Sequence, residues 1–267
     1  MAIRTVFSMA EDCARGQRQG WQEFVRDYAD IARVLLTHYF PSLAPAVDEH
    51  VFAVFRRAGT NGGSWFAGLK FTNEREFMMA FRDLVFACGR EQERVPAPPI
   101  SLDQVRAIMK DFTLLERELL WLVVKGYDGV QIAAIMMNAA ATAEAVQRIA
   151  GERLGALTHS AAPGHPVVPI QVLMELAEQA NTDKCASLKT FNNLVNGQIT
   201  WRERELAEEH MSECFYCIDR FTTFQEMIRL CKDVPPLSEP QVEAILAQLP
   251  VAAGKRRGTL SRLLAGR

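Results

Sequence analysis

Three residues of metal-ligating type lie close together near the end of the chain. His210, Cys214 and Cys217 have the spacing H-x3-C-x2-C. Residues four positions apart lie on one face of a helix, and two cysteines three positions apart can direct their sulfurs to one point in a turn. Zinc prefers four tetrahedral ligands, commonly cysteine and histidine. The spacing therefore predicts three ligands of a zinc site, and such a site requires a local fold that brings a fourth ligand to the same point.

The fourth ligand is predicted to be Cys185, which precedes His210 by 25 positions. This separation allows an intervening helix to turn the chain back. Cys231 is the main rival, but it shares an apolar helical face with Phe221 and Ile228, which favours a place in a core. The alternative to a metal site is a group of buried or redox-active thiols.

The composition is that of an ordinary soluble globular protein, because 49% of the 267 residues are hydrophobic and 23% are charged. The net charge of −2 gives no general attraction to nucleic acid, so any DNA contact must come from a local basic patch. No stretch approaches the roughly 18 apolar residues of a membrane span, and no signal peptide is evident at the N-terminus. We therefore expect a cytoplasmic protein that does not bind a membrane and whose six cysteines are metal ligands or reduced thiols.

The sequence contains no catalytic pattern. None of the five histidines lies in a nucleophile elbow or a paired-carboxylate motif. Gly62-Gly63 is not followed by the Gly-Lys-Ser/Thr of a phosphate-binding loop. We therefore expect neither an enzyme nor a small-molecule substrate.

Apolar residues recur at helical spacing through the chain and strand patterns are scarce, which predicts an all-α fold. Segments rich in proline and glycine at 94–100 and 159–169 predict two linkers. The predicted domains are a helical bundle at 1–93, a helix-turn-helix domain at 101–158, a small zinc-binding helical domain at 170–232, and a C-terminal helix with a basic tail at 233–267. Within the first domain, the Gly- and Asn-rich segment 58–65 predicts a loop.

Helix starts and ends are predicted from capping residues. The pairs Ser101/Gln104, Thr113/Glu116, Thr200/Glu203 and Ser238/Gln241 each predict a helix start, and Gly197 predicts a helix end. A short helix from Val130 to Met137, a tight turn at Asn138 and a last helix from Thr142 to Leu157 form a helix-turn-helix pattern.

Two groups of side chains in the first domain have predicted environments. The core is predicted to contain the aromatic residues Trp21, Phe24, Tyr28, Phe52, Phe55 and Phe81. A solvated face is predicted to carry Arg56, Arg57, Arg82 and Arg90.

A capped helix beginning Ile199-Thr200-Trp201-Arg202-Glu203-Arg204 leads to His210-Met211, Cys214 and Cys217, with Cys185 upstream. In this order of motifs, residues 180–232 resemble the zinc-binding anti-sigma domain of bacteria. The resemblance implies that the four residues bind zinc and that the domain clamps a sigma factor.

The second domain contains Thr113-Leu114-Leu115-Glu116-Arg117-Glu118, Gly126-Tyr127, Gln131-Ile132-Ala133-Ala134-Ile135, Ala141-Thr142 and Glu152-Arg153-Leu154. With these motifs it is similar to region 4 of extracytoplasmic-function sigma factors. The segment 51–56, Val-Phe-Ala-Val-Phe-Arg, is similar to a helix of region 2 of the same factors. The resemblance implies contacts with RNA polymerase and with promoter DNA, the latter through Thr142, Gln147, Arg148 and Arg153.

The region 4-like segment departs from its family in charge. Where the family presents Lys or Arg after the threonine, this chain has Glu144, Val146, Ile149 and Gly151. Residues 101–158 contain six Lys and Arg against seven Asp and Glu. Because DNA affinity falls with each phosphate contact that is lost, the pattern predicts weakened DNA binding.

Together these patterns predict a bacterial transcription regulator in which a zinc anti-sigma-like domain restrains sigma-like domains in cis. The partners expected are RNA polymerase core or another sigma or anti-sigma protein, and promoter DNA. The alternative is a degenerate sigma-like module that binds proteins, in an anti-sigma or scaffold role, and no longer binds DNA.

Overall fold

The computed structural model describes residues 5–93, 112–136 and 170–249, together with Glu144 and Arg148. Within these residues the regular elements are eleven α-helices and one short 3-10 helix, and there is no strand. The predicted all-α fold class is therefore confirmed. None of the described helices is both long enough and apolar enough to span a lipid bilayer.

The described residues form two compact units. One contains residues 5–93 and 234–249, and the other contains residues 112–136 and 170–233. The described parts of the predicted second and third domains thus share one unit. The described helix of the predicted C-terminal segment belongs to the unit of residues 5–93.

The N-terminal part of the first unit consists of α1 (Val6–Ala14), α2 (Arg18–Tyr39), a 3-10 helix (Pro41–Ala46), α3 (Val47–Gly68) and α4 (Glu74–Gln92). Its aromatic core centres on the fully buried ring of Phe24 in α2. The centroid of this ring lies 4.9 Å from that of Phe55, 5.0 Å from that of Phe66 and 5.5 Å from that of Phe81, all in edge-to-face arrangements. Such pairs add to the stabilisation gained from burial alone. The predicted aromatic core is confirmed except for Phe52, which is half-buried.

Arg82 does not lie on the predicted solvated face. Its side chain is only 2% exposed, and its guanidinium carbon lies 3.7 Å from the centroid of the Phe86 ring. The prediction was wrong because Arg82 and Phe86 are one helical turn apart in α4, so the cation can lie over an aromatic ring within the core.

The segment 58–65 is not a loop, because α3 continues through it to Gly68. Gly63 lies inside this helix with a φ of +87°, a left-handed conformation that glycine adopts readily. A Cβ at Gly63 would lie 2.7 Å from the carbonyl oxygen of Cys13 in α1. Burial of Phe55 and Ala58 before the glycines and of Phe66 after them holds both ends of the segment in the core. Packing therefore overrides the low helix propensity of the glycines.

The helix α11 (Glu239–Leu246) packs against α2 within the first unit. The carboxylate of Glu243 accepts hydrogen bonds from Arg18 and, at 3.0 Å, from Gln22. The backbone N–H of Leu237 donates to the carbonyl oxygen of Arg26 at 2.8 Å. These contacts fix the position of residues 234–249, which follow the second unit in sequence, within the first unit.

The second unit contains α5 (Leu114–Val124), α6 (Gly129–Met136), α7 (Ile170–Gln179), α8 (Leu188–Asn196), α9 (Trp201–Glu213) and α10 (Phe215–Asp233). The predicted capping boxes Thr113/Glu116, Thr200/Glu203 and, in α11, Ser238/Gln241 are all present. Gly197 ends α8 with a φ of 66°. The pair Ser101/Gln104 and most of the predicted helix from Thr142 to Leu157 lie outside the described residues; Glu144 and Arg148 are helical and exposed.

The helix α10 is central to the second unit, because it packs against α5, α6, α7 and α9. One side of α5 and the start of α10 form a cluster with α7 that includes Trp121, Leu176 and Phe215. The other side of α5 forms a second cluster with α6 that includes Leu119, Leu122 and Ile132. The helix α5 is thus buried on two faces, and its position depends on both neighbours.

We expect Gly63→Ala to destabilise the first unit. The left-handed backbone alone costs about 1–2 kcal/mol for a residue with a Cβ, and the close approach to Cys13 adds to this. Urea unfolding of the full chain, followed by tryptophan fluorescence, measures the loss; the indole of Trp21 donates to the same Cys13 carbonyl at 3.2 Å.

Gly68→Ala is the matched control for this variant. Its Cβ would have no atom within 4 Å, so we expect its stability to stay within about 0.5 kcal/mol of the parent. Equal stability of the two variants would contradict the strained conformation of Gly63.

Candidate metal centre

The four predicted ligands come from one loop and from the junction of two consecutive helices of the second unit. Cys185 lies in the loop between α7 and α8, His210 in the last turn of α9, and Cys217 in the first turn of α10. Cys214 lies between α9 and α10 in an extended conformation, with a φ of −108° and a ψ of 108°. The two helices therefore break at Cys214, and this break allows both cysteine sulfurs to point to the side where His210 lies.

The ligand atoms of Cys185, His210, Cys214 and Cys217 all lie within 4.8 Å of one another. The sulfurs of Cys185 and Cys214 are 3.7 Å apart. Cys214 and Cys217 are buried, whereas Cys185 and His210 are half-buried. A group of three thiols and one imidazole at these separations can bind a metal ion, and the sequence-predicted set of four is brought together.

Backbone donors support the sulfur atoms. The N–H of Thr182 donates to Sγ of Cys185 at 3.2 Å, and the N–H of Ala186 donates to Sγ of Cys217 at 3.4 Å. Such hydrogen bonds stabilise the charged thiolate form, which is the form that binds metals. The loop 180–187 therefore supplies both a ligand and donors to two sulfurs.

The thiol groups of Cys214 and Cys217 are joined by a hydrogen bond. The pKa of the Cys214 thiol is lowered to about 5. The main cause is the hydrogen bond from the Cys217 thiol; burial opposes the charge, and the hydrogen bond from Cys185 and the nearby His210 favour it. The same hydrogen bond to Cys214, together with burial, raises the pKa of the Cys217 thiol. One thiolate is thus already favoured in the cluster, and metal binding must displace the remaining thiol protons.

His210 has an unsatisfied nitrogen. Its Nε2 atom is buried and makes no hydrogen bond with any residue that the structure describes. A buried polar atom without a partner costs roughly 1–3 kcal/mol, and a metal ion bound by the cluster removes this cost. The imidazole therefore fits the role of a ligand better than that of a packing residue.

The other cysteines do not belong to this cluster. Cys231 lies in α10, 14 residues after Cys217, which corresponds to about 21 Å along a helix. It therefore cannot join Cys217 at one ion, which decides between Cys185 and its rival. Cys13 and Cys88 are buried in the first unit, and neither is in a disulfide bond.

Of the four candidate DNA-contacting residues, Thr142, Gln147 and Arg153 lie outside the described residues. Arg148 is described, and it is helical and exposed. Glu144 is also exposed and precedes it by four positions, so both lie on one face of the helix.

A buried polar network in the second unit was not predicted from the sequence. Its centre is the ammonium group of Lys125, which is fully buried just after α5. It lies 3.0 Å from Oδ1 of Asp219 and donates to the hydroxyl groups of Thr223 at 2.8 Å and Thr222 at 3.2 Å. These three partners use all three N–H groups of the ammonium.

Two further hydrogen bonds extend this network between α5 and α10. The indole of Trp121 donates to the same Oδ1 of Asp219 at 2.9 Å, and the hydroxyl of Tyr127 donates to Glu226 at 2.6 Å. A sequence signal exists, because Asp219 and Glu226 are acidic residues seven positions apart and therefore lie on one face of α10. Their partner, however, is almost a hundred positions away.

Comparisons of the chain with protein-family models, curated proteins and solved structures give no match.

We expect the protein, purified under reducing conditions, to contain one metal ion per chain, bound by the four-residue cluster. Cys214→Ser replaces a thiolate by a hydroxyl group, a much poorer ligand for soft metals, and should lower the retained metal at least about tenfold. Inductively coupled plasma mass spectrometry on the desalted protein measures the content.

Cys231→Ser is the control, because it is the same substitution at the cysteine outside the cluster. It should retain the full metal content. Metal well below one equivalent in the parent protein, or a loss in Cys231→Ser equal to that in Cys214→Ser, would rule out this site.

Proposed function

We propose that the protein is a bacterial cytoplasmic transcription regulator in which a zinc-binding anti-sigma-like segment restrains a sigma region 4-like segment in cis. The zinc-binding segment is residues 180–232, and the region 4-like segment is residues 101–158, of which the structure describes 112–136, Glu144 and Arg148. The proposal depends mainly on one observation, the buried network that joins Lys125 to Asp219 within the unit that contains the metal cluster. The protein acts by binding, not by catalysis.

Zinc is the metal that best fits the cluster. Tetrahedral zinc with Zn–S bonds of about 2.3 Å places two sulfur ligands about 3.8 Å apart, and the sulfurs of Cys185 and Cys214 are 3.7 Å apart. Four protein ligands leave no position for water or substrate, which is typical of structural zinc sites and not of catalytic ones. The proposed role of the ion is therefore to fix the junction of α9 and α10.

The restraint in cis is supported by the way the start of the region 4-like segment is held. In addition to the contacts of Lys125, the guanidinium of Arg117 donates hydrogen bonds to two carbonyl oxygens. One belongs to Phe112, at 2.9 Å, and the other to Ser212 at the end of α9. Leu120 and Trp121 are buried in one cluster with Phe215 and Ile218 of α10. A segment that buries apolar and charged side chains against α10 has to give up these contacts before the same surfaces can meet another protein.

The alternative, a degenerate module that binds proteins without binding DNA, is favoured by one observation. Glu144 is exposed one helical turn before Arg148, so a carboxylate accompanies the described cation on the same face. A carboxylate beside a phosphate contact opposes the counterion release that gives DNA affinity. In this case the partner is another sigma or anti-sigma protein.

Lys125→Met should release the restraint. The substitution keeps much of the side-chain length but leaves Asp219 and Glu226 buried without their cation, which costs roughly 3–5 kcal/mol. We expect the full-length, zinc-loaded variant to bind bacterial RNA polymerase core at least about tenfold more tightly than the parent protein, because the region 4-like surface no longer competes with α10. A pull-down titration with purified core measures this.

Lys232→Met is the control, since Lys232 is an exposed lysine in the last turn of α10. It should bind core as the parent does. Circular dichroism must show that both variants stay helical. Equal core binding by the parent and Lys125→Met would exclude restraint through this network, and no core binding by any form, with or without a zinc chelator, would exclude the sigma-like role.

A second measurement, binding to promoter DNA, distinguishes the self-restrained sigma factor from the degenerate module. Binding of Lys125→Met with core to promoter-like duplexes, but not to random ones, supports the self-restrained sigma factor. Binding to core or to a sigma protein without any DNA preference supports the degenerate module.

A further inference from the structure

A groove in the second unit contains buried polar groups that neither the metal cluster nor the proposed restraint uses. It has a volume of about 640 Å³ and is lined by described residues of α5, α6, α8, α9 and α10. Its walls combine polar and apolar side chains, and the apolar ones include Leu115, Val195, Met211 and Phe221. This volume lies within the range of small-molecule sites.

Two polar side chains that line this groove have unused hydrogen-bonding capacity. Glu118 of α5 is only 7% exposed and makes no hydrogen bond or salt bridge with any described residue. Gln225 of α10 is 6% exposed, and its Oε1 atom is buried without a hydrogen-bond partner in the described part of the chain. Buried polar groups are almost always hydrogen-bonded, so two such groups in one groove require an explanation.

Among the described residues that line the groove, no cation is available to pair with the carboxyl group of Glu118. From α9, Arg204 and Glu208 face the groove, but they pair with each other at 2.7 Å. The described lining residues from the other helices, Met136 of α6, Leu194 and Val195 of α8, and Phe221 and Gln225 of α10, are uncharged. Burial, with a smaller contribution from Glu208, raises the pKa of Glu118 to about 8.

We propose that this groove binds a small organic cation, an ammonium or guanidinium group carried on an apolar body. Such a cation supplies the N–H donors that the carboxylate of Glu118 and Oε1 of Gln225 lack, and its charge balances that of Glu118. The apolar body fills the space between Leu115, Met211 and Phe221. The proposed transcriptional role does not depend on this ligand, so either proposal can fail without the other.

The proposal requires a particular dependence on pH. The cation binds the ionised carboxylate, so below pH 8 binding must first remove a proton from Glu118. Affinity should therefore rise with pH, by about tenfold for each unit well below the pKa, and level off above it. Between pH 6 and pH 8 the expected gain is about 50-fold.

The test is calorimetric titration of the metal-loaded full chain with n-hexylammonium in amine-free buffer at pH 6, 7 and 8. The comparison ligands, 1-hexanol and hexanoate, share the apolar chain but carry a neutral or a negative head group. We expect the ammonium to bind at least about tenfold more tightly than either at pH 8. Binding of hexanol as tight as that of the ammonium, or an ammonium affinity independent of pH, would overturn the proposal.

Variants locate the site. Glu118→Gln keeps the shape of the side chain and should abolish the pH dependence and lower ammonium affinity at pH 8 at least about tenfold. The control is Glu175→Gln, at an exposed carboxylate of α7, and it should bind as the parent does. Gln225→Met removes one acceptor and should weaken binding severalfold while leaving the pH dependence in place.

Ammonium binding that neither groove variant changes would place the ligand elsewhere and would also overturn the proposal. Should Glu118→Gln fail to fold, as judged by circular dichroism, the pH profile of the parent and the affinity of Gln225→Met decide the question.

Discussion

The buried ammonium group of Lys125 is the interaction on which the arrangement of the second unit depends. A charge removed from water costs several kcal/mol, and an ion pair repays this only where the remaining hydrogen-bonding groups are also satisfied. Lys125 meets this condition, because Asp219, Thr222 and Thr223 accept its three N–H groups. Slipping α5 along α10 by one residue would leave the ammonium group without these acceptors. The network therefore specifies the register of the two helices more than it adds stability, which is the role best attested for buried polar groups.

The metal cluster and this network act on the same helix. Cys217 lies in the first turn of α10, and Asp219, Thr222 and Glu226 follow within the next three turns. A metal ion that holds Cys214 and Cys217 fixes where α10 begins and in which direction it leaves α9. The acidic and hydroxyl groups of α10 then have a defined position from which to receive Lys125. Metal binding at the cluster and the burial of α5 would thus be linked through one rigid element, α10.

Local features of the structure could be predicted from the sequence, and features that depend on distant residues could not. Each capping pair is a local hydrogen-bond pattern, so Thr113/Glu116 and Thr200/Glu203 were identified correctly. Three ligands of the candidate metal site follow from their own spacing. Cys185 was favoured over Cys231 by the apolar helical face on which Cys231 lies, and the helical path of α10 then excludes Cys231. The continuation of α3 through Gly63 depends on packing of α3 against α1. The capping box of Thr5 and Ser8 at the start of α1 was not predicted, because it uses a serine where the usual pattern has Glu or Gln. The partners of Lys125 and the burial of Arg82 are tertiary contacts that periodicity alone does not reveal.

Two buried ionisable residues, one in α5 and one directly after it, differ in whether they have hydrogen-bonding partners, and this difference bears on function. Lys125 is fully paired, while Glu118, two turns earlier, has no hydrogen-bonding partner among the described residues. Folding raises the pKa of Glu118 from 4.5 to about 8. The carboxyl group therefore leaves the free energy of unfolding unchanged below pH 4.5, where it is protonated in both states, and lowers it progressively as the pH rises from 4.5 toward 8. At pH 7 the cost is about 3 kcal/mol, at 1.36 kcal/mol for each pH unit, which is a large part of the stability of an ordinary domain. A glutamine or leucine at this position would avoid the cost. A side chain that lowers stability while lining a groove is characteristic of a site selected for binding and not for folding.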